Sequence, residues 1–318
     1  MKVLVYGVGA VGALTVHLLC KAGNDVTVVA RSTYEQLKEK GLVIEHRIQK
    51  KTTVDHPNVV KEADPSEYYD IVFSIMQSQQ QISLLDTLSK LNTKLIVLIG
   101  NNIESEKCES YLQKHKVSER SILFGFQSSC GHREEGKAVC ANFSKVSLYI
   151  GGLHSAPKPE DLNLVKKAFN PKDLKFHELD DMHAFYMYHV AGIMPLVYLN
   201  YKYDCNFKKA TSNDIKMVLK ASKEFIDYMK ANDIKPMPPN EDTYYEGGFK
   251  YHMLHGIYRI LSKTSLGELT VSDHCKNAVS EMKYIDEKIE DYRKNTSSND
   301  MPTWDTMRKW AEPVFNKN

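Results

Sequence analysis

A complete Gly7-Val8-Gly9-Ala10-Val11-Gly12 stretch, set between two short β-branched runs, constrains this chain more than any other feature. Lys2–Tyr6 reads as a buried parallel strand. After the glycines, Val11, Leu14, Leu18 and Leu19 fall on one helical face, and Val26–Val29 makes a second strand ending in Ala30-Arg31-Ser32. A GxGxxG flanked in this way is a nucleotide-binding signature. Gly7 allows the sharp turn, Gly9 lets backbone approach a pyrophosphate, and Gly12 permits close helix–strand packing. The helix start, from Ala10 and Val11 onward, offers N–H groups and partial positive charge to the phosphates. An NAD site usually places an acid at the end of the second strand, but none occurs between Val26 and Tyr34. Arg31, with Ser32 beside it, suits a 2′-phosphate instead, so NADP(H) is the expected cofactor.

At 318 residues the chain can bury a large core and divide in two. Its composition, 42% hydrophobic and 26% charged, is that of an ordinary globular protein. A formal charge of +2, with lysines spread along the chain, gives no general pull toward nucleic acid or an anionic membrane. No apolar run reaches the roughly 18–20 residues that span a bilayer, and no signal-peptide pattern occurs, so a cytoplasmic protein is expected. Cys20, Cys108, Cys130, Cys140, Cys205 and Cys275 lack metal-ligand spacing and read as reduced structural thiols. Cys130, in Ser128-Ser129-Cys130-Gly131-His132, is the one placed after a strand that ends near the cofactor.

Strand and helix signals alternate over residues 1–178, and helical patterns alone fill residues 179–318. The expected fold is α/β: a Rossmann-type doubly wound parallel sheet, followed by an all-helical domain, with a ligand cleft between them. Asp70–Ile75, Leu95–Ile99 and Ile122–Phe126 read as further strands, and Ala138–Asn142 with Ser147–Ile150 as a hairpin. His183–Leu199 is nearly all apolar and aromatic, which predicts a buried helix bent at Pro195. The tail aromatics Trp304, Trp310 and Phe315 are expected to pack back onto their domain or to mark a homodimer contact.

The arrangement resembles the ketopantoate reductases (2-dehydropantoate 2-reductases), NADPH-dependent enzymes of pantothenate biosynthesis. The likeness rests on MKVLVYGVGAVG at the start, on Arg31, and on LIGNNIESE at 98–106. AGIMPLVYL at 191–199 and SEMKYID at 280–286 extend it into the helical part. The resemblance implies an active-site Asn at Asn101, a substrate-pocket Glu at Glu281, and a small 2-oxo acid as substrate, ketopantoate by default. Asn101 also reads as a turn or cap residue, and Glu281 as a solvated helix residue. A lysine that the family uses near the cofactor appears here as Gln77, which takes its place in the cofactor site. The family's catalytic lysine lies nine residues before a helix proline; here that position is Tyr186, and Val190 replaces the asparagine one turn on. No lysine occurs between Lys175 and Lys202.

Ketone reduction needs a hydride donor, a proton donor and a grip on the substrate. Tyr186 and His189, on one helix face with His183 one turn earlier, are the candidates for the proton. Tyrosine must fall from a pKa of about 10 to transfer a proton well, whereas an unperturbed histidine titrates near neutrality. A polar strip of this kind is costly in an apolar helix unless partnered, and the bland reading is that these rings fill core. The leading expectation is an NADP-dependent 2-oxo-acid reductase. A nucleotide-binding sensor or regulatory protein without turnover, and a related dehydrogenase of another carbonyl or imine, stay open beside it.

Overall fold

The run Lys2–Tyr6 becomes strand β1, buried on both faces in the interior of an eight-stranded sheet. The computed structural model describes residues 1–142, 145–296 and 300–317, and divides into two units, Met1–Met182 and His183–Asn318. After β1 the first unit runs α1 (Ala10–Lys21), β2 (Asp25–Val29), α2 (Tyr34–Lys40), β3 (Leu42–His46), β4 (Lys51–Asp55) and β5 (Asn58–Val60). Next come β6 (Tyr68–Tyr69), β7 (Ile71–Ile75), α3 (Ser78–Ser89), β8 (Asn92–Thr93), β9 (Leu95–Ile99) and α4 (Ser105–Lys114). It closes with β10 (Ser121–Ser128), β11 (Cys130–Glu134), β12 (Lys137–Ala141), β13 (Val146–Gly151), α5 (Pro159–Lys167) and β14 (Leu174–Leu179).

The large sheet has the order β14-β13-β10-β9-β7-β1-β2-β5 and is parallel except where β10 meets β13. Val3, Val5, Val28, Phe73 and Val97 pack with Leu14 and Leu18 of α1 on one face. Leu4, Val72, Ile96 and Leu98 alternate to the other face and are buried there too. A sheet covered on both sides explains why its strands read as unbroken apolar runs rather than as alternating ones. The doubly wound reading therefore holds.

One local expectation fails. Ala138–Asn142 and Ser147–Ile150 do not pair as a hairpin, and Phe143 and Ser144 between them lie outside the described residues. β12 instead pairs with β11 and β3 in a second sheet of order β11-β12-β3-β4, while β13 joins the large sheet between β10 and β14. β11 carries Cys130, Gly131, His132, Arg133 and Glu134, a polar run with no period-two apolar signal, so its claim on β12 is invisible to patterning.

His46, on β3, shows how this second sheet is coupled to pH. Burial, then the neighbouring His17 and Lys51, lower its pKa to about 4, against an opposing pull from Asp55. An unfolded histidine titrates near 6.5, so the fold favours the neutral ring. The stability tied to that ring is complete above pH 6.5 and is lost as pH falls through the window from 6.5 to about 4. The expected loss is about 3 kcal/mol. Urea unfolding of wild type and His46→Gln at neutral and acid pH checks this, since the variant loses less on acidification. Parallel losses in the two proteins would refute it.

The second unit holds α6 (Met182–Lys202), α7 (Ser212–Ala231), α8 (Gly248–Ser262), α9 (Ser265–Gly267), α10 (Asp273–Asn277), α11 (Val279–Lys294), α12 (Pro302–Arg308) and α13 (Glu312–Phe315). Pro195 lies inside α6, as expected. α7 starts from a reciprocal cap between Thr211 and Asp214. Burial opposes ionisation of Asp214, yet bonds from Lys202, Thr211 and Tyr203 hold its pKa down to about 2. The tail aromatics pack inward. Trp304 stacks on Phe225 at 4.9 Å and meets Tyr198 edge-on at 5.5 Å, while Phe315 lies 5.5 Å from Tyr201. Among the described residues, no helix is long and apolar enough to cross a membrane.

Candidate active site

The glycine loop has the shape its sequence implies. Gly7 adopts φ +95°, and a Cβ there would lie 2.1 Å from the Ile75 carbonyl oxygen. A Cβ on Gly12 would lie 2.0 Å from the Gly7 oxygen, so only glycine lets α1 start this close to β1. Gly9 differs, because a Cβ there would meet nothing within 4 Å. That side leaves room for a phosphate to reach the start of α1, whose first turn carries no acidic residue. The loop thus fits a dinucleotide.

Side chains distant in sequence brace the loop from behind. Arg133 donates from Nη1 to the Val8 oxygen at 2.7 Å and from Nη2 to Gln36 at 2.9 Å. Cys140 donates to the Ala10 oxygen at 3.2 Å, and burial, then Cys130, push its thiol up to about 12, which keeps it protonated. Gln127 donates to the Val11 oxygen at 3.3 Å and accepts from Thr15 at 2.8 Å. Sequence reasoning missed Arg133, Gln127 and Cys140 in this role. Cys130 donates to the Ala141 oxygen at 3.7 Å within the second sheet.

Arg31 and Ser32 are exposed immediately beyond β2. Ala30 donates to the Val60 oxygen at 3.0 Å, and the register of β2 with the neighbouring parallel strand β5 carries Lys61 opposite Ala30, one residue before Arg31. The Lys61 ammonium lies 4.7 Å from the Tyr34 ring centroid and 3.4 Å from the Glu35 carboxylate. Lys38 donates to the Tyr34 hydroxyl at 3.2 Å. Beneath this cationic edge, the buried Tyr6 hydroxyl has no hydrogen-bond partner among the described residues. Burial pushes Tyr6 up to about 12, with Arg31 pulling it down and Glu62 pulling it up.

The ends of β7 and β9 complete the carboxyl edge of the sheet. Gln77 caps α3 through its backbone, and its side-chain oxygen accepts from Gln79 at 2.9 Å. Gln81 joins the two strand ends, accepting from Ser74 at 2.6 Å and donating to the Ser74 and Ile99 oxygens. Gly100, at φ +153°, passes so near Met76 that a Cβ would lie 2.6 Å from its oxygen. Asn101 follows and is buried, and Asn102 donates to the Leu98 oxygen at 3.1 Å. The fold therefore sets Gly7–Gly12, Gln77 and Asn101 on three adjacent strand ends, the edge where ligands bind in such sheets.

In the second unit, Tyr186 is buried in α6, and the His189 ring lies parallel to that of Phe185 at 5.9 Å. Burial, then His274, lower the His189 pKa to about 4, so at neutral pH the ring is uncharged. Glu281 is buried in the first turn of α11, not solvated. A polar group the sequence did not flag adjoins α6 one turn after His189. The Tyr245 hydroxyl lies 3.1 Å from where a Gly192 Cβ would be, and it hydrogen-bonds Tyr258. Burial, then Asp242, raise the pKa of Glu241 nearby.

Residues 3–154 match the family described as ketopantoate reductase PanE/ApbA. A 2-dehydropantoate 2-reductase of Pyrococcus abyssi (strain GE5 / Orsay) is 26% identical over 186 residues, 56% of each protein. The chain therefore matches a little over half the length of that relative. Among solved structures, D-mandelate dehydrogenase with NADH and anilino(oxo)acetate superposes with TM-score 0.70 at 16% identity, covering 100% of this chain and 99% of that one. The 2-dehydropantoate 2-reductase of Geobacter metallireducens GS-15 gives TM-score 0.70 at 16% identity, covering 99% and 100%. At such identities these structures speak for the fold.

Proposed function

We propose that this chain, which belongs through residues 3–154 to the ketopantoate reductase PanE/ApbA family, is an NADPH-dependent reductase of a 2-oxo acid, with ketopantoate as default substrate. The observation that carries the reading is the open face at Gly9 against the start of α1, ending in Arg31 and Lys61 where the adenosine side of a dinucleotide would lie. Solved neighbours described with NADH support a nicotinamide cofactor. Bound there, the cofactor supplies the hydride.

The chain's own residues have separable tasks in this reading. Amides at the start of α1, around Val8, Gly9, Ala10 and Val11, hold the pyrophosphate. Arg31 and Ser32 grip the 2′-phosphate, with Lys61 adding a second charge. Gln77 and Asn101 present carboxamides at the reacting end, Asn101 toward the substrate oxygen. Tyr186 delivers the proton to that oxygen, and neutral His189 relays a replacement to it. Glu281 orients the substrate's polar groups.

NADPH oxidation followed across 2-oxo acids, ketopantoate included, tests the reading. Turnover with at least one of them is expected, and Tyr186→Phe is expected to lower kcat at least about tenfold. NADPH binding with no turnover across the panel would favour a sensor or regulatory role, a reading motivated by the missing lysine at Tyr186. Binding of neither dinucleotide would overturn both.

Arg31→Ala is expected to weaken NADPH about 10- to 100-fold in kcat/KM while leaving NADH nearly unchanged. Lys61→Ala is expected to act the same way, by a few-fold. Equal losses for both cofactors would show that neither cation reads the 2′-phosphate.

A further inference from the structure

Tyr6 ends β1, one residue before the glycine loop, opposite Val29 of β2 and Ser74 of β7. Side chains alternate along a strand, so Tyr6 points with Leu4 to the face away from α1. Tyr6 is 5% exposed, and its hydroxyl, out of contact with solvent, has no hydrogen-bond partner among the described residues. Tyr69, Tyr188, Tyr198 and Tyr201 are as deeply buried but paired. Tyr69 donates to Glu67 at 3.0 Å and Tyr198 to Asp286 at 2.7 Å. Tyr188 and Tyr201 donate to the Ile234 and Cys275 oxygens, both at 3.1 Å. A buried phenol normally finds a partner, because an unmade bond costs the desolvation of the group. At Tyr6 that cost stands.

The surroundings of the hydroxyl say what would meet it. Burial keeps it protonated at neutral pH, so it has a proton to donate. Of the charges acting on it, Arg31 is the strongest and Glu62 the next. A guanidinium only donates, so Arg31 cannot take that proton. Its own side chain makes no hydrogen bond or ion pair among the described residues. Glu62 is exposed and does not bond the phenol, and Glu35 is engaged by Lys61 at 3.4 Å. A phenol donor and a guanidinium thus stand within electrostatic reach of each other, with no acceptor serving either. One anionic oxygen would satisfy both.

We propose that the Tyr6 hydroxyl is a specificity-determining donor, bonding an oxygen of the cofactor's 2′-phosphate alongside Arg31. The inference rests on the NADPH reading above and adds to it a residue of β1. The exposed Arg31-Ser32 segment shifts as the phosphate arrives and opens the way to the phenol. The free protein then carries an unmet hydrogen bond that NADPH completes and NADH leaves open. A site built this way rejects the analogue that lacks the matching group.

Tyr6→Phe tests this, because it removes one oxygen and keeps the ring. Calorimetric titration is expected to show NADPH binding about tenfold weaker, with NADH affinity unchanged. The thermal midpoint of the cofactor-free variant is expected to rise by about 2 °C, since an unsatisfied group is gone. A tyrosine with only a structural role would not move the two measurements in opposite directions. Tyr69→Phe, which breaks the bond to Glu67, is the contrast: a lower midpoint and both affinities unchanged. Full NADPH affinity in Tyr6→Phe, or equal losses for NADPH and NADH, would overturn the inference and leave the NADPH reading standing. A lowered midpoint in Tyr6→Phe would overturn it too, by showing the hydroxyl already paired. A wild type that binds NADH as tightly as NADPH, or binds neither, would overturn both.

Discussion

Gly9→Asp is expected to abolish dinucleotide binding while leaving the fold intact or slightly more stable. Gly9 caps α1 with φ −62° and ψ −172°, a conformation open to any residue, and its Cβ would meet nothing within 4 Å. Aspartate is among the best helix N-cap residues, and relative to glycine it is worth a few tenths of a kcal/mol. The same carboxylate would occupy the space where a phosphate approaches the helix start, adding like-charge repulsion to a steric block. Affinity is expected to fall at least about 100-fold. Calorimetric titration with NADPH, beside thermal unfolding, separates the two effects. Gly12→Ala supplies the contrast, because its Cβ would sit 2.0 Å from the Gly7 oxygen and must displace backbone. Retained binding in Gly9→Asp would remove the loop from the cofactor site.

Asp286→Ala is expected to cost about 3–5 kcal/mol of stability, the largest loss from one substitution outside the apolar core. The Asp286 side chain is 2% exposed and accepts from the Tyr198 hydroxyl at 2.7 Å. Arg308 donates to it from Nε at 2.9 Å and from Nη2 at 2.8 Å. One carboxylate thus ties α12 to α11 and α6. Removing it strands a buried phenol, which burial and Asp286 together hold well above the usual tyrosine range, beside a guanidinium whose other carboxylate, Glu290, lies 3.8 Å away. Removing Arg308 as well is expected to restore part of the loss, since the second charge no longer lacks its partner. Urea denaturation of both variants measures this. A loss below about 1 kcal/mol in Asp286→Ala would place the pair among surface bridges of little weight.

Asp286 also shows where legibility stops. It ends the SEMKYID stretch that the sequence likens to a family motif, and the periodicity of Met282 and Ile285 places that stretch on a buried helix. Nothing in that pattern tells that Glu281 turns inward, or that Asp286 reaches an arginine 22 residues on. Arg31, the proposed selecting residue, could be named from sequence because it follows the second strand of a strand–glycine loop–helix–strand unit. Lys61 could not, because its place at the end of β2 depends on β5 pairing with β2. The expected hairpin at β12 failed for the same reason: strand order in a sheet is set by burial of whole faces, not by proximity in the chain.

Sequence alone determined what repeats locally: strands as apolar runs, helices as apolar faces, and a tight strand-to-helix loop as glycines at set intervals. Each depends on backbone sterics and burial within about thirty residues. The tertiary structure alone decided which distant groups complete them. Arg133 reaches the Val8 oxygen across 125 positions, and Tyr198 reaches Asp286 across 88. A hydrogen bond needs a few tenths of an ångström and the right angle, and only the packed chain supplies them.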